Sequence, residues 1–224
     1  MLGSSQEPIP LLVWALGSFR KDNKKLVSVA VLAGGQSRRM GQDKAFLEVG
    51  GRPVIERVLA QVKPLSDDLF ISANAPQKYA QFGLPIVPDI YSDKAALGGL
   101  YSVIHAARHN HVLVVACDMP FLNVALLQHL IDLAPTADVV VPLIDPPQPE
   151  TLHAVYSKSC LPAIEARLLA NKLRIIGFFE DVSVRYIERD EVAKFDPQFH
   201  SFINMNTPEE WQKVQAIART QAGE

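Results

Sequence analysis

The chain has 224 residues, of which 48% are hydrophobic and 21% charged, and its formal net charge is -2. These values are typical of one globular domain and exclude a largely disordered chain. The charge also argues against nucleic acid as a partner, because nucleic-acid binding relies on a broad basic face. The two cysteines, Cys117 and Cys160, form no metal-binding pair such as Cys-x-x-Cys, which favours a reducing, cytoplasmic setting.

The first 25 residues differ in composition from the rest and predict a partly ordered extension, followed by a single domain over residues 26–224. Within this extension, the apolar residues 9–16 are too few to span a bilayer. No basic residue precedes them, so the pattern does not fit a secretory signal. We therefore predict no membrane association.

The first predicted strand, residues 26–32, is followed by a glycine-rich segment. The strand is a short apolar run rich in β-branched residues, as expected for a strand covered on both faces. Gly34 and Gly35 then let the backbone approach a ligand closely, and successive N–H groups can donate to anionic oxygens. Positive charge is added by Arg38, Arg39 and Lys44. The segment predicts a phosphate-binding loop for a nucleotide.

Two common phosphate loops do not fit residues 32–44. A Walker A loop requires Ser or Thr after its lysine, whereas Ala45 follows Lys44. The glycine spacing also fails to give the dinucleotide fingerprint Gly-x-Gly-x-x-Gly. The segment resembles instead the signature Leu-Ala-Gly-Gly-x-Ser-x-Arg-Met-Gly-x-Asp-Lys of nucleotidyltransferases related to molybdenum cofactor guanylyltransferase, the MobA family. Every fixed position of that signature is present.

The resemblance extends from about residue 26 to the helix after Pro208 and implies a three-layer α/β/α domain with a mostly parallel, Rossmann-like sheet. It implies transfer of GMP from GTP to molybdopterin, with Mg²⁺ as cofactor. It also implies a molybdenum-inserting protein and acceptor molybdoenzymes as partners. The catalytic residues that it implies in the segment are Arg39 and Lys44. The nucleotide-binding residues that it implies there are Leu32, Ala33, Gly34, Gly35 and Lys44.

Downstream, short apolar runs alternate with amphipathic segments, a pattern that predicts helices covering a mostly parallel sheet. Further strands are predicted at residues 68–73, 111–117 and 137–142, and helices at residues 53–62, 99–109, 122–133 and 161–170. Open sheets of this type bind ligands at the carboxyl ends of their strands. Polar residues that follow a strand are therefore the candidates for the site.

Asp118 follows the predicted strand 111–117. One carboxylate at this place can bind Mg²⁺ together with substrate phosphates and water. An aspartate here can also cap the following helix. The family resemblance assigns the position to magnesium and to the nucleotide phosphates, which makes Asp118 a catalytic, metal-binding and nucleotide-binding residue. Its neighbour Cys117 is interpreted as a buried strand residue rather than a nucleophile.

Two further polar residues follow strand-like segments. The amide of Asn74 suits a base edge or a ribose, although asparagine also forms turns. Asp89 follows Pro88 and would otherwise be an ordinary turn residue. The resemblance implies that both side chains contact the nucleotide.

Residues 95–100 depart from the family pattern Gly-Pro-Leu-x-Gly, because Ala95 and Ala96 replace the Gly-Pro pair. Alanine lacks the access of glycine to positive φ and the rigidity of proline. We expect a differently shaped loop, with more effect on substrate positioning than on chemistry.

Residues 202–211 resemble the family signature Asn-x-Asn-Thr-Pro-Glu-Glu-Leu. Thr207 is expected to cap a helix that begins at Pro208. Asn204 and Asn206 either form the preceding turn or close the metal or pterin side of the site. Residues 150–156 also resemble the family segment where the second substrate is expected.

Histidines suggest a possible metal cluster, because His105 and His109 are four residues apart on a predicted helix and His111 follows. No carboxylate or cysteine completes the set nearby, so we predict no such cluster.

The glycine-rich segment does not select a base. Cytidylyl transfer to molybdopterin, or activation of a sugar or alcohol phosphate, therefore stays open. A non-catalytic nucleotide-binding or chaperone protein of cofactor assembly is the third alternative, and it is motivated by the altered residues 95–96.

Overall fold

The structure, a computed structural model, describes residues 27–33 and 44–222, with side chains up to residue 220. The predicted extension, residues 1–25, lies outside the described residues. So do Gly34, Gly35, Arg38 and Arg39, whose predicted roles stay predictions.

A mostly parallel sheet forms the centre of the described part of the chain. The strands are β1 (Val27–Leu32), β2 (Glu48–Val49), β3 (Arg52–Pro53), β4 (Leu69–Ser72), β5 (Ile86–Val87), β6 (His111–Ala116), β7 (Val139–Leu143), β8 (His153–Ser157) and β9 (Val184–Glu188). Seven of them form one sheet in the order β5-β4-β1-β6-β8-β7-β9, and β2 and β3 form a separate hairpin. Only β8 runs antiparallel to its neighbours in the seven-stranded sheet.

Helices cover both faces of this sheet. Among the described residues they are α1 (Val54–Val62), α2 (Pro76–Tyr79), α3 (Ala95–Ala106), α4 (Val124–Leu133), α5 (Leu161–Leu169), α6 (Arg189–Val192) and α7 (Pro208–Ala222). None of these helices combines the length and the apolar character that a bilayer crossing requires.

Each face of the sheet has its own hydrophobic core, because successive residues of a strand point to opposite sides. Val29 and Val31 of β1 pack with residues of α1, α4 and α7, whereas Ala30 and Leu32 pack with residues of α3 and α5. All six residues of β1 are buried, as the sequence predicts for a strand covered on both faces. The expected three-layer α/β/α architecture is confirmed.

The bounds of α3 correct the prediction of a helix over residues 99–109. The helix begins at Ala95. It includes Gly98, which packs so closely that a Cβ there would lie 2.8 Å from the carbonyl oxygen of Tyr91. It ends at Ala106, where the backbone turns to an extended conformation at Ala107. The next backbone N–H groups donate to side chains of other elements, with Arg108 bonded to Asp68 and His109 to Ser28.

Ala95 adopts a backbone conformation that usually requires glycine. Its φ is 50°, in the left-handed region, although it stands where the family pattern has glycine. Asp93, two residues earlier, has a φ of 60°. The start of α3 therefore contains the left-handed backbone that we expected alanine to disfavour, at a cost of about 1 kcal/mol for the Cβ of Ala95.

Replacing Ala95 by glycine is expected to raise the free energy of unfolding by about 1 kcal/mol, because the strain at positive φ is removed. The matched control is Ala96→Gly, in the same helical turn but without positive φ, which should lower it by about 0.5–1 kcal/mol. Urea denaturation measures both changes. An equal loss of stability in the two variants would contradict the assignment of strain to Ala95.

His153, at the start of β8, is fully buried. Its ring centroid lies 4.8 Å from that of Phe202, and neither ring nitrogen has a hydrogen-bond partner among the described residues. Burial lowers the pKa of His153 from 6.5 to about 4, and Asp196 opposes this shift only in part. The imidazole is therefore neutral in the folded protein at neutral pH.

Candidate active site

The carboxyl ends of β5, β4, β1 and β6 lie side by side at one edge of the sheet, since these neighbouring strands are parallel. Backbone hydrogen bonds continue beyond the strands, from the N–H of Ala33 to Ser72 O (2.9 Å) and from that of Cys117 to Leu32 O (3.0 Å). These bonds hold the chain where it leaves each strand. The predicted site residues that the structure places at this edge are Leu32, Ala33, Asn74, Asp89 and Asp118.

Lys44 is directed at the C-terminal part of the chain. It begins a short 3₁₀ helix, Lys44–Phe46, and its Nζ donates to Asn206 Oδ1 at 2.8 Å. These two residues are 162 positions apart in sequence. The structure thus brings together the end of the glycine-rich segment and the C-terminal asparagine motif.

Asp118 is partly buried, and its carboxylate interacts electrostatically with Lys44 and Glu210. Burial raises the pKa of Asp118 and the charge of Glu210 acts in the same direction, whereas the ammonium group of Lys44 favours the carboxylate. An ionised carboxylate that is incompletely solvated attracts a cation more strongly than one in bulk water. The site therefore combines one hard oxygen ligand with a lysine, which suits a magnesium phosphate complex.

Helix capping does not account for Asp118. The N-cap of α4 is Asn123, whose side chain accepts a hydrogen bond from the N–H of Leu126 at 3.0 Å. Asp118 lies five residues before this cap, in the turn that follows β6. Asp118 is therefore not the cap of α4.

The backbone at Asn206 is held by a capping box at the start of α7. Thr207 Oγ1 accepts from the N–H of Glu210 at 3.2 Å, which confirms the expected cap. In return, Glu210 Oε2 accepts from the N–H groups of Thr207 (3.0 Å) and Asn206 (2.6 Å). The role of Glu210 was not predicted, although Thr-x-x-Glu is the usual sequence signal of this arrangement.

Asn204 lies two residues before Asn206 and is partly exposed, between the short 3₁₀ helix His200–Phe202 and the buried Met205. Its role beside the second substrate stays a prediction.

Asn74 and Asp89 form a reciprocal hydrogen-bonded pair. Asn74 Nδ2 donates to Asp89 Oδ2, and the N–H of Asp89 donates to Asn74 Oδ1, both at 2.8 Å. The first turns of α3 lie beside this pair, because a Cβ at Gly99 would be 3.4 Å from Asp89 Oδ1 and 3.7 Å from a methyl group of Leu32. Leu32, Asn74 and Asp89 therefore line one continuous part of the edge.

The histidines do not form a common site. His109 lies beyond the end of α3, where its Nε2 is 3.3 Å from Asp67 Oδ1. His105 stacks on Tyr101, with ring centroids 6.1 Å apart. In the parts of the chain that the structure describes, no group of three or more His, Cys, Asp and Glu side chains could hold a metal ion. Cys117 differs from its prediction, because it follows β6 and is only partly buried.

Comparison with known proteins identifies the family of this chain. The sequence profile of the MobA-like NTP transferase domain matches residues 29–181. The probable molybdenum cofactor guanylyltransferase of Pelotomaculum thermopropionicum is 37% identical over 188 residues, which cover 84% of this chain and 91% of that protein. The molybdenum cofactor guanylyltransferase of Desulfosudis oleivorans is 36% identical over 195 residues, which cover 86% and 96%.

A solved crystal structure is similar to this chain in fold. The crystal structure of molybdopterin-guanine dinucleotide biosynthesis protein A from Archaeoglobus fulgidus has a TM-score of 0.78 and 26% identity to this chain. The match covers 87% of this chain and all of that protein. The profile match and the identities over most of both chains lead to one conclusion: the chain belongs to the MobA-like NTP transferase family.

Proposed function

We propose that the chain is a molybdenum cofactor guanylyltransferase, which transfers GMP from GTP to molybdopterin and releases pyrophosphate. The observation that carries the proposal is the contact of Lys44 with Asn206, together with the electrostatic interaction between Lys44 and Asp118, which follows β6 at the carboxyl edge of the sheet. Relatives named for this activity match the chain over most of their length, which supports GTP and molybdopterin as the substrates.

In the proposed reaction, a terminal phosphate oxygen of molybdopterin attacks the α-phosphorus of GTP. A new P–O bond forms, the bond between the α-phosphorus and the bridging oxygen to the β-phosphorus breaks, and pyrophosphate leaves with the electron pair. No protein nucleophile is needed, because positioning and charge stabilisation suffice for transfer of this kind. Lys44 neutralises negative charge on the leaving pyrophosphate, and Asn206 holds its ammonium group in place.

Mg²⁺ is the cofactor that fits the donor set. Asp118 offers carboxylate oxygens that are partly buried and interact with the charge of Lys44, and these would hold a magnesium ion together with triphosphate oxygens and water. Bound there, the ion would polarise the α-phosphate. The role of this chain is to hold the ion through Asp118 and to keep that carboxylate ionised by the charge of Lys44.

The nucleotide is assigned to the part of the edge beside Lys44. Leu32, Ala33, Asn74 and Asp89 are proposed to contact GTP together with Asp118, and the reciprocal pair fixes the Asp89 carboxylate for a donor on the ligand. Gly34, Gly35 and Arg39 are proposed to hold the phosphates, as the family signature implies. Asn204 and Asn206 would close the side that faces molybdopterin.

We also propose that the protein works in the cytoplasm. Its proposed partners are acceptor molybdoenzymes, which would carry the product, and a molybdenum-inserting protein.

Product analysis tests the function. The protein is incubated with molybdopterin, Mg²⁺ and either GTP, CTP or ATP, and the products are identified by mass spectrometry. We expect molybdopterin guanine dinucleotide and pyrophosphate with GTP. Preferential use of CTP would replace guanylyl by cytidylyl transfer. Binding of nucleotides without any dinucleotide product would instead favour the non-catalytic role in cofactor assembly.

A further inference from the structure

Tyr79, the last residue of α2, is a buried aromatic side chain that the sequence analysis did not connect with the site. Only 2% of its surface is exposed. Its hydroxyl donates to the carbonyl oxygen of Ala33 at 2.8 Å. Its ring stacks on Phe46, with centroids 5.5 Å apart and an angle of 29° between the planes. A single side chain therefore contacts two segments that are distant from it in sequence.

The hydrogen bond holds the chain at the end of β1. The N–H of Ala33 already donates to Ser72 O, so the contact from Tyr79 fixes the carbonyl side of the same residue. Ala33 is one of the residues assigned to the nucleotide. Its backbone is thereby restrained from both sides before a ligand binds, which lowers the ordering cost of binding.

The ring contact holds the turn that carries Lys44. Phe46 belongs to the same 3₁₀ helix as Lys44, and the N–H of Leu47 closes this turn on Lys44 O at 3.2 Å. Phe46 lies between Tyr79 and Phe82, whose ring centroid is 6.4 Å away. The turn cannot shift without disturbing this aromatic stack.

We propose that Tyr79 is a positioning residue for nucleotidyl transfer, which aligns Ala33 with Lys44 by holding both from one rigid side chain. The inference rests on the proposed function, since it needs Ala33 to bind the nucleotide and Lys44 to stabilise the leaving group. Its two contacts act on different steps: the hydroxyl supports ground-state binding of GTP, and the ring supports the position of Lys44 in the transition state.

Three variants separate the two contacts. Tyr79→Phe keeps the stack and removes the donor to Ala33, so it should raise the KM and the Kd for GTP about five- to tenfold with little change in kcat. Phe46→Leu loosens the Lys44 turn and should mainly lower kcat. Ser28→Ala is the matched control, because it removes a buried hydroxyl from the opposite end of β1, where Ser28 bonds to Asp68.

For each variant, steady-state kinetics and calorimetric titration with GTP are compared with its stability in urea denaturation. Loss of stability in Tyr79→Phe and Ser28→Ala alike, with weaker GTP binding in Tyr79→Phe alone, supports the positioning role. Unchanged GTP binding in Tyr79→Phe overturns it. If the wild-type protein binds GTP but forms no product, the proposed function fails, while the Kd comparison still decides whether Tyr79 positions Ala33. If it binds no GTP, both proposals fail.

Discussion

Replacing Asp118 by asparagine is expected to lower kcat for pyrophosphate release from GTP, with molybdopterin as acceptor, by about a thousandfold. Asparagine keeps the size of the side chain but removes the charge that attracts Lys44 and that we propose holds Mg²⁺. The matched control is Asp132→Asn, on the exposed part of α4, where the aspartate accepts a hydrogen bond from Gln128 of the same helix. Turnover of Asp118→Asn within tenfold of wild type would remove Asp118 from its proposed role.

The same substitution is expected to stabilise the fold. Because burial raises the pKa of Asp118, the unfolded chain releases this proton at a lower pH than the folded protein does. Stability therefore falls as the pH rises through the interval between the two pKa values, and the loss persists at higher pH. Asp118→Asn lacks this loss. Urea denaturation should show the variant as more stable than wild type at about pH 8, with a smaller difference near pH 4. An inactive but unfolded variant would contradict this expectation.

Acidification from pH 7.5 to pH 5 is expected to lower the free energy of unfolding by about 2 kcal/mol through His153 alone. The unfolded chain binds a proton at this histidine below pH 6.5, whereas burial keeps the folded form neutral until about pH 4. The folded state is thus at full stability above the unfolded pKa and loses stability as the pH falls below it.

His153→Leu tests this origin of the acid sensitivity. Leucine does not titrate, and it removes a buried imidazole whose nitrogens have no partner among the described residues. Its stability at pH 7.5 should lie within about 1 kcal/mol of wild type, with about 2 kcal/mol less loss at pH 5. The matched control is His105→Leu, which replaces a histidine at an exposed position of α3. Parallel pH profiles of wild type and His153→Leu would refute the assignment.

Local sequence patterns predicted the core of the fold well, because buried strands and helices have characteristic patterns of apolar residues. The run of apolar, β-branched residues in β1 is buried at each of its described positions. The predicted start of α3 at residue 99 was wrong, since the helix begins at Ala95 and includes Gly98, a residue of low intrinsic helix propensity. Tertiary contact overrides that propensity, since Gly98 must pack against the Tyr91 carbonyl.

The site was predictable only in part. A polar residue after a parallel strand can be recognised in the sequence, which is why Asn74 and Asp118 are candidates. The contact between Lys44 and Asn206 is not, because no periodicity links residues 162 positions apart. Family resemblance named both as site residues without predicting that they touch. Tyr79 could not be predicted, because a buried aromatic residue has the same sequence pattern whether it only fills the core or also donates a hydrogen bond to a backbone carbonyl.

Because β8 runs opposite to its neighbours, its first residues rather than its last lie at the edge of the sheet that carries the candidate site. Its neighbours β6 and β7 arrive at this edge with their last residues, but β8 departs from it with its first. The N–H of Ala116 donates to Leu152 O at 3.0 Å, so the chain before His153 borders the Asp118 turn. At the other end, Lys158 bonds to Asn110, on the far side of the sheet. Sequence changes just before β8 are thus expected to alter the Asp118 turn, while changes after Ser157 lie at the opposite ends of the strands and should leave that turn intact.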